Sequence, residues 1–83
     1  MAANDADTIG RRSYLVCDMI KRTPNFALAG NLAVLGSMTD AEIKMLYDFE
    51  VAKNKKEAVE FYDKMAKRLS ARLDESNKKG AVH

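Results

Sequence analysis

Three features of the chain predict an all-α fold. Hydrophobic residues make up 47% of the 83 residues, an ordinary share for a folded domain, while Pro occurs once and Gly four times. Residues of high helix propensity, mainly Ala, Leu, Met, Lys and Glu, fill the intervals between these breakers. Residues 39–43 also carry a helix-start signal. We therefore expect a small helical bundle, with two short N-terminal helices packed on a long or bent C-terminal helix.

Two polar ends flank the predicted domain. Residues 1–7 are expected to be a flexible N-terminus, residues 8–75 a single helical domain and residues 76–83 a flexible C-terminal tail. A chain this short buries only about 60% of its unfolded surface, and small domains often add disulfides, metals or self-association. Cys17 is the single cysteine and His83 the single histidine. Self-association, most simply as a dimer, is the route that this composition favours.

The first helix is expected over about residues 8–22. Apolar residues at helical spacing give it one hydrophobic face. They are Ile9, Leu15 or Val16, Met19 and Ile20. Thr23 and Pro24 then interrupt the chain, and Pro24 suits the first position of a second helix, with Thr23 as its N-cap.

The second helix, Asn25–Leu35, is apolar nearly all round. Because a helix of that composition is normally buried, we expect it in the core. A strand over residues 32–35 is the alternative, since a short apolar run does not distinguish the two. Gly36 is expected to be the C-cap of the helix. Three small residues would let another backbone approach closely: Ala29, Gly30 and Ala33.

The third element begins with a capping box. Thr39 is the expected N-cap, and Glu42 is the acidic residue three positions later that completes the motif. Met38 and Ile43 flank the cap as a hydrophobic staple. Asp40 and Glu42 also place negative charge at the positive end of the helix dipole. The sequence thus predicts a helix that begins at Asp40.

The length of this helix is left open by the sequence. No Pro or Gly occurs from Asp40 to about Asp74, which would give a straight helix of about 50 Å at 1.5 Å per residue. Residues 53–56 are four polar residues in a row and predict a bend or turn as the alternative. A bend would fold the second half back on the first helices, whereas a straight helix would leave it projecting.

Two surfaces of the second half are candidate binding sites. Apolar residues at the spacing of a coiled-coil seam predict an interface for self-association or a protein partner. This seam consists of Ala58, Tyr62, Met65 and Leu69. Basic residues on the same helix are candidate phosphate contacts: Lys64, Lys67, Arg68 and Arg72. A solvated face balanced by neighbouring carboxylates is the competing interpretation of the basic group.

Catalysis and cofactor binding find little support. Cys17 lacks a histidine partner, and His83 is the last residue of the chain. No Gly-rich phosphate loop is present, and the acidic residues lack the spacing of a calcium loop. No stretch reaches the roughly 18 apolar residues of a membrane span, and a single cysteine fits a reducing compartment. We expect a cytoplasmic, non-enzymatic protein without metal, cofactor, small-molecule substrate or membrane contact.

One family resemblance comes from the junction and its surroundings. Tyr14-Leu15, Thr39–Ile43 and Tyr47 together resemble the small helical Hha/YmoA nucleoid modulators, over about a third of the chain. The resemblance implies a partner of the H-NS type. The family's Ala-Ala-Asp-His-Arg stretch is replaced here by residues 49–53, Phe-Glu-Val-Ala-Lys, and we do not assign the chain to that family.

Regulation through protein–protein binding is the function that these observations favour. A basic helical DNA-binding or nucleoid-associated regulator is the alternative. A helix-turn-helix over residues 25–49 would serve that alternative, but its recognition helix would begin with Asp40 and Glu42, which repel phosphates.

Overall fold

The computed structural model describes residues 6–81, with side chains described for residues 6–77. Four helices and no strand make up these residues, which confirms the all-α prediction. The helices are α1 (Ala6–Arg22), α2 (Asn25–Ser37), α3 (Asp40–Val51) and α4 (Lys55–Ala81). The strand alternative for residues 32–35 is wrong, because these residues belong to α2.

The helices enclose one core. α1 packs against α2 and α3, and α4 packs against the same two helices, so that α1 and α4 lie across the core from each other. Two edge-to-face aromatic pairs join neighbouring helices: Tyr14 with Tyr47, and Phe49 with Phe61. The buried apolar side chains come from all four helices and from the α2–α3 junction. They are Leu15, Met19, Val34, Leu35, Met38, Ile43, Leu46, Ala58 and Met65.

A turn at residues 52–54 separates α3 from α4, so the bend is present and the straight helix is not. Lys53 has φ 60°, in the left-handed region. Its N–H donates to Glu50 O at 3.1 Å, and the Asn54 N–H donates to Phe49 O at 2.9 Å. These two bonds form a Schellman motif, which ends α3 and satisfies its last carbonyls. Ala58 N–H then donates to Asn54 O at 3.0 Å as α4 begins.

Several expected boundaries move. Residues 6 and 7 belong to α1, and residues 76–81, expected as a tail, continue α4. Residues 1–5 and 82–83 of the expected flexible ends lie outside the described residues. Pro24 is the residue before α2 rather than its first helical residue, and its carbonyl accepts a 3.0 Å bond from Ala27 N–H.

Gly36 does not cap α2. The helix continues to Ser37, whose hydroxyl donates to Val34 O at 2.8 Å, and Met38 is the extended C-cap. No glycine among the described residues has positive φ, which is the conformation that a glycine cap supplies. The expected face of α1 is also only partly correct, because Leu15 and Met19 are buried whereas Ile9 and Ile20 are exposed.

Candidate interaction surfaces

The capping box at the start of α3 is present as predicted. Glu42 N–H donates to Thr39 Oγ1 at 3.2 Å, and Thr39 N–H donates to Glu42 Oε1 at 2.9 Å. Met38 and Ile43, the expected staple, are both buried in the core. The local sequence therefore determines where α3 begins.

Arg68 of α4 also binds this capping box, although it lies far away in the sequence. Its Nη1 is 2.5 Å from Glu42 Oε2, and its Nη2 is 2.8 Å from Glu42 Oε1. Nη2 also donates to Ser37 O at 3.4 Å. A planar guanidinium suits such a two-point contact, whereas an ammonium does not. The Arg68 Nε is buried without a partner, which offsets part of the gain from the pair.

Arg12 of α1 holds the opposite side of the same junction. Its Nη1 donates to Leu35 O at 3.0 Å, and its Nη2 lies 3.3 Å from Met38 O and 3.5 Å from Asp40 Oδ1. The two arginines thus bind the carbonyls of residues 35, 37 and 38, of which Leu35 O also accepts the Met38 N–H at 3.2 Å. The same two arginines bind both acidic residues at the start of α3. That end of α3, which would begin the recognition helix of a helix-turn-helix, is therefore in contact with side chains of its own chain.

The electrostatics of the junction follow from these contacts. The hydrogen bond from Arg68, followed by that from the Thr39 N–H, lowers the pKa of Glu42 from 4.5 to about 2. The same pair raises the pKa of Arg68. Both groups are therefore charged throughout the neutral range, and the junction is a structural ion pair rather than a proton-transfer site.

The predicted seam faces the core of its own chain. Ala58 and Met65 are only 2% and 4% exposed, and Tyr62 and Leu69 pack against the same cluster. In this structure the seam therefore packs within its own chain. The bend at residues 52–54 is the cause, because it folds α4 back against α2 and α3.

The four basic residues that are candidate phosphate contacts differ in whether they form ion pairs. Arg68 is committed to Glu42, and Lys67 pairs with Asp63 at 2.9 Å on the surface. Lys64 and Arg72 are exposed. Two of the four candidate phosphate contacts, Lys67 and Arg68, therefore have carboxylate partners.

A cleft of about 200 Å³ lies between the C-terminal end of α1 and the start of α4. Inside it the Tyr62 hydroxyl donates to Asn31 Oδ1. Burial raises the pKa of Tyr62, against the opposing effect of the nearby Arg22 charge. Arg22 is itself paired with Glu50 at 3.0 Å and with Asp18 at 2.8 Å. Two polar pairs of the cleft, Tyr62–Asn31 and Arg22–Glu50, are thus bonded to each other, and the space is small for a ligand site.

The outward face of α2 is exposed, although the sequence analysis predicted that this helix is buried. The helix was expected to be buried, but Phe26 is 92% exposed and only Val34 and Leu35 of its residues are buried. No residue of α2 is charged. The exposed residues at helical spacing form what we call the α2 face: Phe26, Ala29, Gly30, Ala33 and Gly36. An amphipathic pattern would have located this face, but α2 is uniformly apolar and gives none.

Two features are absent from the described part of the chain. No group of three or more His, Cys, Asp or Glu residues stands close enough there to hold a metal ion. None of the helices in residues 6–81 is long and apolar enough to span a bilayer. The chain matches no protein-family model, and no curated protein or solved structure shows significant similarity to it.

Proposed function

We propose that this chain is a small cytoplasmic, non-enzymatic regulatory or adaptor protein that acts by binding protein through the α2 face. One observation carries the proposal: a whole helix face without charge, headed by an almost fully exposed Phe26. Soluble domains rarely leave a contiguous apolar face in water unless it meets a partner. Aromatic residues are also typical anchors at the centre of protein interfaces.

The rest of the surface supports the choice of this face. α1, α3 and α4 all carry charged residues on their exposed sides, with ion pairs such as Lys44–Asp48 and Lys67–Asp63 at 2.7 and 2.9 Å. Charged residues are depleted at the centres of protein interfaces. The α2 face has the uncharged composition of an interface centre. Exposed apolar residues of the other helices, such as Ile9 and Val59, stand among charged residues in the sequence.

A photo-crosslinking amino acid at position 26 tests the proposal in the native host. The product should contain one defined protein, and the purified partner should bind the parent chain and lose affinity for Phe26→Ser. The same crosslinker at Ser70, an exposed position on α4, is the matched control. Equal labelling from positions 26 and 70, with no partner that depends on Phe26, would refute the proposal.

Nucleic-acid binding is the second candidate, and exposed Lys64 and Arg72 favour it. Within residues 6–77 neither side chain forms an ion pair, so both are free to meet phosphates. A gel shift at two salt concentrations tests it, because phosphate contacts make affinity fall steeply with salt. The double variant Lys64→Gln, Arg72→Gln should then abolish the shift, whereas no shift of the parent at low salt removes this candidate.

A further inference from the structure

All four helices meet at one end of the bundle. The bond from Arg22 to Glu50 at 3.0 Å joins the end of α1 to the end of α3. Arg22 also lines a cleft with Val59, which belongs to the start of α4. α2 begins three residues after Arg22, so Phe26 stands at this end as well. The ends of α1 and α3 and the starts of α2 and α4 therefore share one surface.

Positive charge is concentrated at this end. Residues 20–26 and 51–57 contain five basic residues and one acidic residue, Glu57, whereas the whole chain has a net charge of only +2. Of the five, Arg22 has carboxylate partners. The other four are exposed lysines that form no ion pair within the described residues. We call them the basic end: Lys21, Lys53, Lys55 and Lys56.

Two of these lysines are placed against the helix dipole. Lys55 and Lys56 are the first two residues of α4, where the positive end of the dipole disfavours a cation. Lys53 lines the same surface depression as Lys55, so two like charges also lie close together. Neither helix stability nor an internal ion pair accounts for this placement. An anionic group from outside the chain would offset the repulsion.

The same end also carries exposed apolar side chains. Phe26 is 92% exposed, and Val51 and Val59 are each more than half exposed. A protein interface has an apolar centre and a polar rim, and this end offers both. Bases of nucleic acids stack on aromatic rings, but Phe26 is the only aromatic residue in residues 20–26 and 51–59. A protein surface with carboxylates fits this combination best, because it covers the valines as well.

We infer that the protein partner carries a cluster of carboxylates that meets the basic end, beside an apolar pocket that takes Phe26. The inference rests on the proposed protein-binding function and adds the chemistry of the partner. The two parts of the surface act on different rate constants. Exposed rim charges attract an oppositely charged partner over a distance and so raise the association rate. The buried anchor, Phe26, slows dissociation.

Surface plasmon resonance separates the two effects, with the purified protein that crosslinks to position 26 as the probe. The double variant Lys55→Gln, Lys56→Gln should lower the association rate constant about tenfold at about 50 mM salt, and much less at about 300 mM, because salt screens exposed charges. Its dissociation rate constant should stay within about twofold of the parent. Phe26→Ser should instead raise the dissociation rate constant about tenfold or more.

Two controls exclude a general effect of charge or of folding. Lys44→Gln removes an exposed lysine of α3 that is paired with Asp48, and both rate constants should stay close to those of the parent. The double variant at Lys55 and Lys56 should melt no lower than the parent, because it removes cations from the positive end of the α4 dipole. Slower association with unchanged stability therefore reports on the contact itself.

The outcomes distinguish this inference from the proposed function. Equal association rates for the parent and the double variant at Lys55 and Lys56 overturn the inference, whereas dissociation that still depends on Phe26 leaves the proposed function standing. A chain that has no partner dependent on Phe26 loses both. The inference is also overturned if the double variant associates normally with the protein but no longer binds an oligothymidylate or phosphatidylserine vesicles that the parent binds. The basic end would then contact phosphates.

Discussion

Arg68 and Glu42 join the start of α3 to the middle of α4 through two parallel hydrogen bonds, at 2.5 and 2.8 Å. The carboxylate that receives them also accepts the Thr39 N–H and so completes the capping box. One side chain therefore serves both the start of a helix and the packing of that helix against another. Arg12 contacts the same junction from α1, so all four helices are joined by hydrogen bonds at residues 35–42.

The pH dependence of stability should reflect this pair. Because the pKa of Glu42 is lowered from 4.5 to about 2 in the folded state, its contribution is fully present above about pH 4.5 and is lost as the pH falls towards 2. Glu42→Gln retains the capping geometry but not the charge. Urea unfolding at pH 7 and pH 2.5 should therefore show a smaller loss of stability for Glu42→Gln than for the parent.

Asp48→Asn is the control for this measurement. Asp48 forms an exposed pair with Lys44 at 2.7 Å, and such surface pairs contribute little. This variant should lose about as much stability as the parent between the two pH values. If Glu42→Gln loses as much as Asp48→Asn, the Arg68–Glu42 pair does not contribute to folding stability.

Thr39→Ala tests the cap alone. Removal of Oγ1 leaves the Glu42 N–H without its side-chain acceptor and should lower the free energy of unfolding by about 1 kcal/mol. A change of that size lowers the Tm of a domain this small by about 4–8 °C. Thr39→Ser keeps the hydroxyl and should melt close to the parent. A melting curve for Thr39→Ala that overlays the parent would rule out a stabilising cap.

Substitution of Met65 tests whether this residue belongs to the core of the chain or to an interface between chains. Met65→Ala should lower the free energy of unfolding by about 2–5 kcal/mol, because it opens a cavity between α4 and the rest of the core. Leu73→Ala on the same helix removes an exposed side chain and should change it by less than about 0.5 kcal/mol. The loss for Met65→Ala should be the same at two protein concentrations. A loss that depends on concentration would return the seam to an intermolecular interface.

Features that depend on neighbouring residues were predicted from the sequence, whereas contacts between residues far apart in the sequence were not. The capping box at Thr39 and Glu42 lies within one helical turn, so it can be predicted from the sequence. Arg68 reaches the same carboxylate from another helix, and no local pattern indicates that contact. The apolar spacing of Ala58 and Met65 correctly marked a packed face, but only the bend at residues 52–54 determines that its partner is the chain itself.

The largest difference between the sequence prediction and the structure is the exposed side of α2, and the nearly all-apolar composition of this helix explains it. Apolar residues all round a helix do not indicate which side faces inwards, so the expectation of burial could not be checked against a pattern. The contacts of α2 with α1 and α4 select one side, and Phe26 is left on the other. The proposed interface is therefore a consequence of tertiary packing that no periodicity in the sequence encodes.

The turn between α3 and α4 contains strain that a substitution can remove. Lys53 is exposed and has φ 60°, a conformation that glycine adopts without the clash of a β-carbon. Lys53→Gly should raise the free energy of unfolding by about 0.5–1 kcal/mol, after allowance for the greater freedom of glycine in the unfolded chain. Urea unfolding measures this as a higher midpoint with an unchanged slope.

Two further variants are controls that show whether the stability change at position 53 comes from the left-handed backbone conformation. Lys53→Ala keeps the β-carbon and so keeps the strain, and it should stay within about 0.5 kcal/mol of the parent. Lys55→Gly places glycine in the first turn of α4, where φ is not positive, and should destabilise by up to about 1 kcal/mol. The same substitution thus stabilises at position 53 and destabilises at position 55. If both glycine variants are destabilised, residue 53 does not hold the left-handed conformation in solution, and the Schellman ending of α3 is incorrect.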